Sequence, residues 1–146
     1  MLIVRFITVS LLIFFNLGYS HTIRKIEKSR VIKFEYSGYD DTTCALIFGK
    51  VYSAGKMDNR GKSHLSPLAN VQIQVQQNGR ITTTVTDGNF VIGFNKGIFS
   101  LLITKAGYQS LRITNYISDP DQVSITRIIL EKGENLQTFE IPKPKK

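Results

Sequence analysis

Val71-Gln72-Ile73-Gln74-Val75-Gln76-Gln77-Asn78-Gly79-Arg80 alternates apolar and amide side chains and then reaches Asn-Gly. A period of two is the signature of a strand with one face buried, so Val71, Ile73 and Val75 are expected inward and the glutamines in water. Asn-Gly tolerates positive φ at both positions and marks a tight hairpin. Arg80 to Thr86 then returns as a threonine-rich strand, and Asp87-Gly88 is a second hairpin signal of the same kind.

The same period continues outward on both sides. Phe90, Ile92 and Phe94 make one inward face, Asn95-Lys96-Gly97 turns the chain, and Phe99, Leu101 and Ile103 make the next. Ala106-Gly107-Tyr108 interrupts before Leu111 and Ile113. The last run starts with Val123 and Ile125 on one face and ends with Ile128 and Leu130 on the other, which predicts a bulge or a strand buried on both sides. Seven strands are expected, near 45–52, 70–77, 80–86, 89–94, 98–104, 109–117 and 122–131. Short antiparallel strands of that number fit two packed sheets, an all-β seven-stranded antiparallel sandwich. Ile32, Phe34 and Tyr36 alternate with Lys33 and Glu35, which adds an N-terminal edge strand to the expectation.

Residues 1–20 read as a signal peptide: Arg5 precedes the apolar run Phe6 to Leu17, and Gly18-Tyr19-Ser20 supplies small residues for a cut. The run is short for a bilayer-spanning helix of about 20 residues. The expected organisation is a leader over 1–20, a charged segment over 21–44, the sandwich over 45–132 and a basic mobile tail over 133–146. Ile141-Pro142-Lys143-Pro144-Lys145-Lys146 reads as too polar and Pro-rich to pack. The one cysteine, Cys44, forms no internal bridge, so the core must hold the chain. The full chain carries +8 and, without Arg5 of the leader, 18 − 11 = +7, which suits an exported protein that meets acidic proteins, glycans or headgroups rather than nucleic acid.

The order of motifs resembles a known family. Gly49-Lys50-Val51, Pro67-Leu68-Ala69-Asn70-Val71, Thr86-Asp87-Gly88-Asn89-Phe90, Gly97-Ile98-Phe99-Ser100-Leu101 and Gly107-Tyr108 are similar to the carboxypeptidase regulatory-like domain of the transthyretin-like sandwiches. The tight Asp87-Gly88 pair departs from the family's longer turn. The resemblance implies an accessory module without catalytic residues, exported or periplasmic, as in Bacteroidetes-like bacteria.

No catalytic motif occurs: G-x-S-x-G, H-E-x-x-H and paired cysteines are all absent, and His21, His64 and Cys44 are the usual candidates left. No enzyme activity, cofactor or metal is expected. Residues 53–66 read as the longest loop, and long loops on a rigid scaffold commonly bind. Its Lys56, Arg60, Lys62 and His64 are the candidate partner-binding residues, facing an acidic surface. The strand edge near 32–36 is the other candidate, since an edge accepts a partner strand.

The expected function is therefore a non-catalytic, exported module for protein interaction or structural support in the cell envelope. The alternative is glycan binding through Tyr36, Tyr39, Tyr52 and Tyr108, weakened by the absence of tryptophan. A remote alternative is copper held by a mature N-terminal His21 with His64 as a further imidazole. Asp58-Asn59 and Asp119-Pro120-Asp121 lack calcium-loop spacing and read as turn chemistry.

Overall fold

The computed structural model describes residues 28–38, 45–57, 63–120 and 122–142. The described residues form ten strands: β1 (Arg30–Gly38), β2 (Ala45–Met57), β3 (Ser63–Pro67), β4 (Gln72–Val75), β5 (Ile81–Thr83), β6 (Asn89–Phe94), β7 (Gly97–Thr104), β8 (Ser110–Ser118), β9 (Gln122–Leu130) and β10 (Leu136–Glu140). One sheet runs β1-β9-β2-β3, with β6 pairing the first half of β2, and the other runs β10-β8-β7-β4-β5. The two sheets enclose one core, and the β-sandwich expected from the period-two runs is the observed fold.

Each inward face follows from alternation. Ile47 and Val51 of β2, Phe90, Ile92 and Phe94 of β6 and Ile128 and Leu130 of β9 meet Ile73, Val75, Leu101, Ile103, Leu111 and Ile113 of the other sheet. Gly49 is required within this face, because a Cβ there would collide with the Phe90 ring lying across from it. Tyr116 is the largest fully buried side chain, ringed by Phe34, Tyr36 and Phe94 at centroid distances of 6.1, 6.2 and 5.2 Å.

Turn chemistry holds the connections. Asn78-Gly79 does turn β4 into β5, with Gly79 at φ 70° and the Arg80 amide on the Asn78 side-chain oxygen at 2.9 Å. Asp87 accepts the Asn89 amide at 3.1 Å, so the aspartate orients its turn as expected. That turn is tight, closed by the Gly88 amide on the Val85 carbonyl and the Val85 amide on the Asn89 carbonyl, both at 2.9 Å. The strands beyond it nevertheless diverge: β5 and β6 belong to different sheets, so Asp87-Gly88 carries the chain across the sandwich. Thr84 explains the crossing. Buried, it donates to the Leu68 carbonyl at 2.7 Å and accepts the Val71 amide at 2.9 Å, which ends β5 against the Pro67–Val71 bend.

Three further expectations are corrected. Two pairings are parallel, β2 with β9 and β8 with β10, because the chain crosses between sheets before each second strand is laid down. Residues 53–66 are not one long loop: β2 runs on to Met57 and pairs antiparallel with β3, leaving a hairpin whose tip, 58–62, lies outside the described residues. Their Ser-Ala-Gly-Lys and Ser-His-Leu-Ser stretches carry no period-two signal, and the ladder to β2 overrides weak local propensity. Within 133–146, Leu136–Glu140 forms β10, and Ile141 is only 3% exposed inside the core. A single isoleucine after a strand was hidden by the polar, Pro-rich composition around it.

The expected N-terminal edge strand is present as β1, paired with β9 along its length. Of the two readings of the last run, burial on both sides holds and a bulge within it does not, since β9 pairs β2 without a break in register. The irregularity falls in β1 between Val31 and Lys33, and β9 is buried on both faces at Ile128, Ile129 and Leu130.

Candidate docking face on the first sheet

The outer face of the first sheet can be read off its register. Glu35 of β1, Ile125 of β9, Phe48 of β2 and Val91 of β6 are successive cross-strand neighbours. Two residues along each strand, Lys33, Arg127, Lys50 and Asn89 form the adjacent row. Residues i and i+2 share a face, so an apolar row lies beside a row of three cations.

A solvated sheet face is normally polar, yet Phe48 is 43%, Val91 48% and Ile125 38% exposed. Half-buried Leu46 and buried Val123 extend this strip on the far side from the cations. The usual order is inverted in this half of β9, where Ser124 and Thr126 are buried and Ile125 is exposed. The inversion has a partner inside: Ser124 Oγ lies 2.9 Å from the Tyr116 hydroxyl. A slip of one residue would send every β9 side chain to the opposite face.

Between the rows lies a shallow groove of about 410 Å³, lined by Phe48, Lys50, Asn89, Val91, Ile125 and Arg127 among others. Its charge is mainly cationic, with the Asp87 carboxylate reaching one end through the Asn89 side-chain amide at 2.6 Å. Glu35 is held by Lys33 at 2.9 Å and Glu131 by Arg30 at 3.5 Å. Lys50 sits 5.7 Å from the Tyr52 ring centroid, and neither Lys50 nor Arg127 has a carboxylate partner among the described residues.

Of the candidate loop residues, Lys56 lies in β2 and His64 in β3, where His64 is exposed, while Arg60 and Lys62 lie outside the described residues. His21 of the copper alternative and Cys44 also lie outside them, as do Asp58, Asn59 and Asp121. Among the described residues no group of three or more His, Cys, Asp or Glu side chains could hold a metal. Among the described residues, the candidate tyrosines do not assemble into a stacking platform. Tyr36 and Tyr108 pack against the core, Tyr52 is on the outer face, and Tyr39 is outside the described residues.

The outer-face rows were missed at the sequence level because Phe48, Val91 and Ile125 each look like ordinary members of a strand. Register alone brings them together. The available signal was the out-of-phase Val123 and Ile125 against Ile128 and Leu130.

No family model and no curated protein matches the chain. The resemblance to the carboxypeptidase regulatory-like domain therefore rests on its motifs. Among solved structures, a chain of a type II cohesin–X-dockerin complex from Acetivibrio cellulolyticus is similar over 66% of this chain, with 15% identity and a TM-score of 0.40. The match covers 51% of that chain, so the present chain spans about half its length. No helix of the described residues is long and apolar enough to cross a membrane.

Proposed function

We propose that this chain is a non-catalytic, exported β-sandwich module of carboxypeptidase regulatory-like type that binds another protein in the cell envelope. The observation that carries this reading is the row Ile125–Phe48–Val91, exposed side by side on a sheet face where solvent calls for polar residues. The signal-peptide pattern over residues 1–20 supports export, and the lack of a nucleophile–base pair in the sequence supports a binding role over catalysis.

Pull-down from envelope extract with the purified protein, at low and high salt and beside a glycan array, tests the reading. A recurrent protein partner supports it. Glycan binding without a protein partner replaces it with the carbohydrate alternative, and robust hydrolase activity of the purified protein would sink both.

A further inference from the structure

We infer that the groove between the Phe48 row and the Lys50 row is a peptide-docking site for an acidic amphipathic segment of the partner, one with apolar side chains edged by carboxylates. This rests on the protein-binding reading above and specifies the chemistry of its site.

Three features lead to that occupant. Lys33, Arg127 and Lys50 are direct cross-strand neighbours on three adjacent strands, and like charges opposite one another destabilise a sheet. Glu35 offsets Lys33 alone, so Arg127 and Lys50 keep unbalanced charge at the groove's rim. The apolar row Ile125–Phe48–Val91 crosses three strands, about 10 Å, and the cation row runs parallel to it about 7 Å further along the strands. A segment lying along both rows would cover the apolar one and place carboxylates over the other.

Alternative occupants fit less well. Phe48, Val91 and Ile125 line a shallow groove and each exposes less than half of its surface, whereas a bilayer is entered by fully protruding side chains. A second copy of the same face would set Lys50 and Arg127 against a surface that carries the same two cations, where Glu35 is already paired with Lys33 and Asp87 is held by Asn89.

The test selects a random twelve-residue peptide display library on the purified protein and measures binding of the enriched peptides to Phe48→Ser and to Lys50→Glu/Arg127→Glu, each checked for an unchanged melting temperature. The inference expects peptides that combine apolar residues with Asp or Glu. Their binding should fall about tenfold or more on either variant, as for central interface anchors, and should weaken as salt rises. A peptide with Lys in place of its acids should bind the charge-reversed variant better than the parent protein, an effect that mere loss of structure does not produce.

Absence of enriched peptides, or peptides indifferent to both variants, overturns the inference. So does Phe48-dependent co-sedimentation with phosphatidylcholine–phosphatidylglycerol vesicles, which assigns the face to membrane, or a dimer lost in Phe48→Ser, which assigns it to a second copy. An extract partner retained by both variants removes this site and leaves the module reading standing. Absence of any extract partner removes the module reading itself.

Discussion

The hydroxyls of Tyr116 and Ser124 lie 2.9 Å apart inside the sandwich, joining β8 of one sheet to β9 of the other. Burial of a tyrosine hydroxyl demands a partner, and Ser124 supplies it on the inward face of β9, in phase with the core residues Ile128 and Leu130. With Ser124 turned inward, Val123 and Ile125 must turn out. The exposed Ile125 of the apolar row is thus the outward neighbour of a serine bonded inside the core.

Ser124→Ala leaves the Tyr116 hydroxyl unsatisfied and is expected to cost about 1–3 kcal/mol. Tyr116→Phe should cost a similar amount by stranding the serine. The double variant should lose less than the sum, because both polar groups are then gone. Urea titration of the four proteins checks this, and strict additivity would show that the bond has no weight.

Alkaline pH should unfold the protein through the same tyrosine. Burial is the main cause that pushes Tyr116 up to about 12 from its usual 10, with Ser124 opposing and nearby Tyr36 adding. Tyr36 is also raised, chiefly by burial. In the folded state the proton is retained while the unfolded chain releases it near 10, so stability is intact below pH 10 and declines from there to about 12. Absorbance at the tyrosinate band and circular dichroism, followed together, should show the last tyrosines titrating only as the strands melt. Titration of every tyrosine near pH 10 in folded protein would contradict the buried cluster.

Gly49→Ala places a methyl group where the Phe90 ring lies. Overpacking of this kind costs about 1–3 kcal/mol. Adding Phe90→Leu should restore part of the loss, and thermal melts of the single and double variants distinguish a packing clash from a backbone effect.

Ile141 is buried against the core beyond β10, so Ile141→Ala should cost about 2–5 kcal/mol. An unchanged denaturation midpoint would return this residue to the tail.

The core was legible because period two is a physical consequence of the strand. Val71, Ile73, Val75, Phe90, Ile92 and Leu101 are all buried as their alternation requires. β1 was legible for the same reason, through Phe34 and Tyr36. Pairing partners were not, since nothing local to Leu136–Glu140 or Ser63–Pro67 records the strand each will join; that is a property of the chain's path between sheets. The docking face follows the same rule. Lys33, Lys50 and Arg127 are far apart in sequence, and only the β1-β9-β2 order makes them neighbours. The charges of 53–66, by contrast, lie close together in sequence and are visible without the fold.

The central claim, that the outer face of the first sheet is the working surface, is tested most directly by photocrosslinking in the native envelope. A photoreactive phenylalanine analogue is placed at Val91, on that face, and separately at Ile98, which is 66% exposed on β7 of the opposite sheet. A discrete polypeptide adduct from position 91 and none from position 98 is the predicted result. Equal labelling from both positions, or an adduct from position 98 alone, would contradict the account.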